Sequence, residues 1–368
     1  MSDIRYVTSR DGTRLAMSIQ GSGVPAVRVM LHLGDQLDSP GIGSRHWQDA
    51  LAPHVSVVHY DARGCGLSDR QAESTTLDSC LEDLEAVVGA LGAGPVMLLG
   101  LSHGSMVAVA FAARHPERVS RLVVYGGYAR GRLQRGPDVA HAQEAKAILE
   151  AMQVAFGEDV PYRSAFLRTV NSRLFPSASP QQLDEVEAAI AGRMSASVAA
   201  AYTTLSLECD VSEHARRVSC PTLQFHARAD LAVPFEEGCH LASLIPQARF
   251  VPLDDDSNIP LAGNPHWPRV ATELRGFLGM ENPGPETTPC DVIAAPSTPS
   301  LTSRQIEVLV LISQGNTDKE IARALGLSPR TVEMHAGNAL RALKCRTRAE
   351  GVRLAAHLGL LESMHRVR

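Results

Sequence analysis

The chain of 368 residues lacks long apolar runs, paired cysteines and an apolar amino-terminal segment. No apolar run reaches the roughly 18 residues that a membrane-spanning helix needs, so we expect no membrane span. The first five residues also lack the apolar core of a secretory signal peptide. The seven cysteines are scattered without a C-x-x-C pair, which argues against a zinc site and a disulfide framework. We therefore expect a cytoplasmic chain with reduced thiols and with no metal or cofactor.

Charge is distributed unevenly along the chain. Residues 298–368 contain 11 Lys and Arg against 6 Asp and Glu, whereas the net charge of the whole chain is −5. This asymmetry indicates a basic carboxy-terminal segment with an anionic partner. An ordinary fluctuation of surface charge accounts for it equally well.

A proline-rich stretch divides the chain. Residues 279–300 hold five prolines among Thr, Ser and Gly, a composition that cannot bury a core and is typical of a semi-extended linker. We place a first domain at residues 1–278 and a second at residues 301–368.

Alternating apolar segments predict an α/β first domain. Residues 1–126 are predicted to form strands, then strands alternating with helices of 3.6-residue periodicity, which indicates a largely parallel sheet with crossover helices. Strand patterns are absent from residues 128–210, where the spacing predicts helices over 142–155, 180–193 and 195–207. Two further strands follow, at 222–226 and 248–253.

Residues 100–104, Gly-Leu-Ser-His-Gly, form the pattern G-x-S-x-G between a predicted strand and a predicted helix. This strand–turn–helix context lifts the hydroxyl of Ser102 above the sheet. Gly100 and Gly104 allow the tight turn because they have no Cβ to clash.

The first domain resembles the α/β-hydrolase superfamily. The resemblance is carried by residues 32–34, 61–68, 100–104, 115–119 and 230–234, in family order. It implies a mostly parallel sheet with a helical cap over about 128–210. It also implies Ser102 as nucleophile, Asp230 as acid, and an oxyanion hole from the N–H groups of His103 and Leu33.

The resemblance fails at the catalytic base. The loop after the last strand holds Ser257-Asn258 where the family has Asn-His, and Asn258 cannot accept the serine proton. His266, eight residues on, is an alternative base, although a position at the start of a helix explains it as well. We expect an impaired triad of Ser102, Asp230 and Asn258. The expected ligand contacts are His32, Leu33, Ser102, His103 and Asn258.

The second domain resembles the LuxR-type helix-turn-helix over residues 301–361. Four helices are predicted, and the third, 329–343, is the candidate recognition helix. Glu333 stands where the family is often basic, and it can accept a hydrogen bond from cytosine N4. The expected DNA contacts are Thr317, Lys319, Ser328, Arg330, Thr331, Glu333, Met334, Asn338, Arg341 and Lys344, with Arg346 and Arg348 as further phosphate contacts.

Together these features predict a DNA-binding transcription regulator whose hydrolase-like domain binds a small molecule with little or no turnover. Aromatic residues of the expected cap favour a partly apolar ligand: Phe156, Tyr162, Phe166, Phe175 and Tyr202. Leu354 and Leu358 of the last helix predict a homodimer contact, or else packing within the domain. Two alternatives are an active esterase or lactonase that hydrolyses its own effector, and an interaction scaffold with an empty pocket.

Overall fold

The computed structural model describes residues 4–31, 37, 45–51, 54–71, 74–136, 139–157, 163–190, 192–280, 303–314, 316–343, 345 and 347–357. The chain divides into two compact units, Met1–Gly284 and Pro285–Arg368. We call them the hydrolase-fold unit and the helical unit. Residues 281–300, most of the predicted linker, lie outside the described residues.

The hydrolase-fold unit is built on one eight-stranded sheet. Its strand order is β1-β2-β4-β3-β5-β6-β7-β8; β1 and β2 pair antiparallel with their neighbours, and the remaining pairs are parallel. This confirms the predicted α/β class. The strands are β1 Ile4–Thr8, β2 Arg14–Gln20, β3 Val24–Val29, β4 Val55–Tyr60, β5 Val96–Leu101, β6 Val119–Tyr125, β7 Thr222–Ala227 and β8 Ala248–Leu253.

Helices cover both faces of the sheet. Leu98 of β5 packs in a cluster with Phe111, while Leu99 packs in a second cluster with Trp47 and Leu274 on the opposite face. Successive strand residues are therefore both buried, as expected for a parallel sheet covered on two sides. The helices outside the cap are α1 Arg45–Leu51, α2 Leu77–Gly89, α3 Gly104–Arg114, α8 Ser212–Ala215, α9 Phe235–Leu244 and α10 Trp267–Leu278.

The first four α-helices described between β6 and β7, which we refer to as the cap, are α4 Val139–Ala155, α5 Arg163–Leu174, α6 Pro180–Ile190 and α7 Ala196–Glu208. The sequence predicted three of them and missed α5. The cap is tied to the sheet by a buried ion pair of 2.9 Å between Arg193 and Asp61. The Tyr202 hydroxyl also donates to the Arg63 carbonyl at 3.0 Å.

The helical unit contains α11 Ser303–Ser313, α12 Asp318–Leu325, α13 Pro329–Ala342 and α14 Arg348–His357. Thr317 and Glu320 form a capping box at the start of α12, in which the Glu320 carboxylate accepts hydrogen bonds from the N–H and hydroxyl of Thr317 at 2.8 and 2.7 Å. Gly326 ends α12 in the left-handed conformation (φ 65°), which permits the sharp turn into α13. Across the described parts of both units, every helix is too short or too polar to cross a lipid bilayer.

Candidate functional site

Ser102 occupies a strained turn between β5 and α3. Its φ is +47°, and within the described residues it is the one non-glycine residue with positive φ. The Ser102 N–H donates to the Tyr125 carbonyl at 2.9 Å. A Cβ on Gly104 would lie 2.1 Å from the Val29 carbonyl oxygen, so only glycine fits there. Such strain, on the order of 1–3 kcal/mol, is typical of functional positions.

Asp230 follows β7 and is held in one orientation. Its Oδ1 accepts the N–H groups of Ala232 and Val233 at 2.8 and 2.9 Å. Its Oδ2 accepts a hydrogen bond of 2.7 Å from Nδ2 of Asn258. Burial raises the pKa of Asp230, and the neighbouring His226 and these hydrogen bonds oppose that rise. The carboxylate is therefore positioned to orient whatever side chain occupies position 258.

Asn258 is fully buried beside Asp230, although 28 residues separate them in sequence. A second hydrogen bond of 3.3 Å runs from its Nδ2 to the Gly126 carbonyl. Its Oδ1 is buried and has no hydrogen-bond partner among the described residues. The structure thus brings the Asp230 carboxylate and the Asn258 amide together, and an amide has no basic nitrogen with which to accept a proton.

Two histidines near this region do not face Ser102. The ring of His226 is fully buried, with Nε2 at 3.0 Å from the Val233 carbonyl and 3.6 Å from Asp230. Its Nδ1 faces Gly238, where an added Cβ would lie 2.3 Å away. His266 immediately precedes α10 and lines a separate pocket beside the acidic loop 254–257. His32 and Leu33 lie outside the described residues.

His103 lies beside Ser102 and lines the same small pocket. Burial, followed by the charge of Arg135, lowers the pKa of His103 from 6.5 to about 4. Its imidazole is therefore neutral near pH 7 and is a weak base. The ring packs edge-on against Tyr128 at a centroid distance of 6.0 Å.

Two pockets near Ser102 share lining residues. The small pocket, about 10 Å³, is lined by Ser102, His103 and Leu174 among others. The cap pocket, about 80 Å³, shares His103 and Leu174 with it and is lined mainly by cap residues. Tyr128 adds one aromatic ring to the cap pocket, and the rest of its apolar lining is aliphatic: Ile148, Met152, Val170, Leu174, Leu207, Ala232 and Val233.

The aromatic residues expected to face the ligand lie elsewhere. Phe156, Phe175 and Tyr202 are buried in hydrophobic clusters or hydrogen-bonded to the sheet, and Phe166 is 41% exposed. None of these four lines the small pocket or the cap pocket, and Tyr162 lies outside the described residues. Sequence reasoning missed the polar lining instead, namely Arg132, Arg135 and Arg173.

The candidate recognition helix α13 is anchored on one side and exposed on the other. Val332 and Ala336 are buried against Val308 and Ile321. Glu333 on the same helix is exposed. The remaining predicted contacts that the structure describes are exposed or partly exposed: Thr317, Lys319, Ser328, Thr331 and Asn338. Lys344, Arg346 and the side chains of Arg330, Met334 and Arg341 lie outside the described residues.

Two expected contacts of the helical unit have partners within it. Arg348 forms a two-pronged ion pair with Asp318, joining α14 to α12, and this lowers the pKa of Asp318. The hydroxyl of Ser328 caps α13 through the Thr331 N–H at 3.1 Å. Leu354 packs against its own core cluster, which includes Leu309 and Ala339, and Leu358 lies outside the described residues.

Comparison with known families supports both units. The family described as "alpha/beta hydrolase fold" matches residues 40–259. The family described as "Bacterial regulatory proteins, luxR family" matches residues 299–355.

Several individual proteins and solved structures are similar to this chain. A "Putative carbamate hydrolase RutD" of Azorhizobium caulinodans is 29% identical over 280 residues, covering 72% of this chain and 95% of its own. A "Cis-3-alkyl-4-alkyloxetan-2-one decarboxylase" of Shewanella oneidensis is 35% identical over 124 residues, covering 33% of this chain and only 37% of its own length. Among solved structures, the esterase RhEst1 of Rhodococcus sp. superposes with a TM-score of 0.62 at 26% identity, covering 76% of this chain and 99% of its own.

Proposed function

The chain belongs to the α/β hydrolase fold family and carries a luxR-family DNA-binding domain, and on that premise we propose that it is a transcription regulator whose hydrolase-fold unit binds a small molecule with little or no turnover. In this proposal, residues 1–278 sense the molecule, residues 279–300 link the domains, and residues 301–368 bind DNA.

Asn258 is the observation that supports this reading. In a serine hydrolase the third group takes the nucleophile's proton and later returns it to the leaving group. Asn258 occupies the position that contacts the acid, at 2.7 Å from Asp230, and its amide has no basic nitrogen. Without that base, only weak catalysis by binding and oxyanion stabilisation remains.

Ser102 and His103 are placed to contact a ligand, because they put a hydroxyl and a neutral imidazole at the floor of the small pocket. The buried Oδ1 of Asn258 has no partner within the described residues, but Asn258 lines neither the small pocket nor the cap pocket. The proposed ligand contacts at this site are therefore Ser102 and His103.

DNA binding would follow the arrangement of α13. Its buried side, at Val332 and Ala336, fixes the helix on the unit, while Glu333 faces solvent. The positive ends of the helix dipoles at the starts of α12 and α13 suit phosphate contacts. We also propose that the chain forms a homodimer. Sedimentation velocity of the full chain tests this, because it measures the mass of the assembly in solution.

Ester hydrolysis by the purified full chain tests the hydrolase-fold part of the proposal. With p-nitrophenyl butyrate, we expect the wild type and Ser102→Ala to show the same slow rate. Fast hydrolysis that Ser102→Ala abolishes would contradict the proposal.

DNA binding is tested with duplexes selected from a random-sequence library. We expect Lys319→Gln to weaken binding to all selected duplexes alike and to reduce the salt slope by about one. Lys146→Gln, an exposed change in the cap, is the matched control. An unchanged salt slope in Lys319→Gln would show that Lys319 does not contact the DNA.

An active esterase or lactonase that destroys its own effector is the second candidate. It is favoured by the strained φ of +47° at Ser102, since a nucleophile turn is retained, and by the hydrolase names of the similar proteins. The Ser102→Ala comparison above separates the two candidates.

A further inference from the structure

Positive charge is concentrated around the cap pocket. Arg132, Arg135 and Arg173 line it, and Arg130 lies behind them, paired with Glu237 at 2.9 Å. Glu144 pairs with both Arg132 and Arg173. Among the described residues, two carboxylates therefore pair with these four guanidinium groups.

Asp230 is a further carboxylate near this pocket. It follows β7 just before Ala232 and Val233, which line the pocket, but its oxygens accept hydrogen bonds from backbone N–H groups and from Asn258. Asp230 is therefore not paired with these arginines, and a buried charge is costly unless a partner compensates it.

Arg135 is the least compensated of the four arginines. Its side chain is only 7% exposed, and its Nε lies 3.8 Å from Glu237. That Nε donates to the Arg130 carbonyl at 3.1 Å, while its two terminal nitrogens have no hydrogen-bond partner within the described part of the chain. Burial lowers the pKa of Arg135. The charge of Glu237 raises this pKa in part, and the charge of Arg130 lowers it further. The fork of the guanidinium is free to bind an anion in a two-pronged manner.

Most of the remaining lining of the cap pocket is aliphatic. Ile148, Met152 and Val170 line it, with Leu207 and Val233. An occupant that satisfies both the arginines and this aliphatic lining has one acidic group and an apolar body.

We propose that the cap pocket binds a small aliphatic monocarboxylic acid, with the carboxylate on the terminal nitrogens of Arg135. A carboxylate offers two oxygens to the two terminal nitrogens of Arg135. This inference rests on the proposed function, because it names the chemical class of the sensed molecule.

Calorimetric titration of the full chain with octanoate and with octanamide tests the assignment. We expect octanoate to bind at least about tenfold more tightly than the neutral amide, since a charge-assisted two-pronged contact contributes about 1.5 kcal/mol or more. Octanoate should also raise the unfolding temperature. Equal affinities for acid and amide, or no binding of octanoate, would overturn the assignment.

Variants locate the contact. Arg135→Gln should bind octanoate at least about tenfold more weakly than the wild type and should bind octanamide with unchanged affinity. Arg168→Gln changes an exposed cap arginine paired with Asp184, and it should bind both compounds like the wild type. Arg135→Lys, which keeps the charge, serves if Arg135→Gln fails to fold, and it should lose less affinity. Wild-type octanoate affinity in the Arg135 variants overturns the assignment. A different result, ester hydrolysis that depends on Ser102, would contradict the proposed function, so the two failures can be told apart.

Discussion

Two buried arginines of the hydrolase-fold unit differ in what compensates their charge. Arg63 is fully buried, and its guanidinium donates to both oxygens of Asp83 at 2.6 and 2.8 Å and to Asp11 at 2.7 Å. Burial lowers the pKa of Arg63, but these partners outweigh it and raise the pKa above its ordinary value. Arg135 has no comparable partner, and its pKa is lowered.

The difference separates a structural charge from a functional one. Arg63 forms its hydrogen bonds within the fold, where it joins the loop after β4 to α2. Arg135 lines a pocket and leaves its terminal nitrogens available. Since removing a partner from a buried pair is costly and removing an uncompensated charge is not, the same substitution should act differently at the two sites.

Arg63→Gln should have the largest effect. It leaves Asp83 buried without its partner, and we expect a loss of about 3–5 kcal/mol in the free energy of unfolding. Urea unfolding followed by circular dichroism measures it. Asp184→Asn, at an exposed ion pair of the cap, should change the unfolding midpoint little. A small effect of Arg63→Gln would remove the contrast between the two arginines.

The lowered pKa of His103 makes the free energy of unfolding depend on pH between neutral and acid conditions. Its pKa is about 4 in the folded chain against 6.5 when unfolded, so the unfolded state binds the proton first as the pH falls. Stability contributed by His103 is therefore present above pH 6.5 and lost between pH 6.5 and 4. The loss by pH 4.5 is about 2 kcal/mol.

The variant His103→Gln isolates that contribution. We expect its free energy of unfolding to fall less than that of the wild type between pH 7 and 4.5. The pKa of Asp11 is about 2 because of hydrogen bonds to Thr13 and Arg63. Asp11 therefore changes protonation at lower pH and does not affect the comparison between pH 7 and 4.5. Parallel pH profiles of wild type and variant would contradict the lowered pKa.

Arg135→Gln should have the smallest effect on stability. It removes the Nε hydrogen bond and the contact of the guanidinium with the Tyr128 ring at 5.5 Å, but it also removes a poorly compensated buried charge. We expect the free energy of unfolding to change by less than about 1 kcal/mol in either direction. A loss as large as that of Arg63→Gln would make Arg135 a structural residue.

The sequence was most informative where a pattern is local. The turn at Ser102 needs a strand, two glycines and a helix within a few residues, and the capping box needs Thr317 and Glu320 three residues apart. The alignment of Asn258 with the histidine position of the family was also predictable, because the loop after β8 aligns with a family motif. The structure then supplied the 2.7 Å contact with Asp230.

The cap was less predictable for physical reasons. Helix α5 was missed even though Leu167, Val170 and Leu174 have helical spacing, because its other residues are mostly polar. Arg132, Arg135 and Arg173 meet only in the folded chain, from a short 3-10 turn, the loop after it and α5. Hydrophobicity alone also could not tell that Phe166 faces solvent.

Restoring the missing base tests the central claim most directly. Asn258→His places an imidazole beside Asp230, and we expect p-nitrophenyl butyrate hydrolysis to rise on the order of 10²-fold. The rise should vanish in the double variant Ser102→Ala/Asn258→His. A wild type that already hydrolyses the ester quickly, and that loses this activity in Asn258→His, would contradict the account.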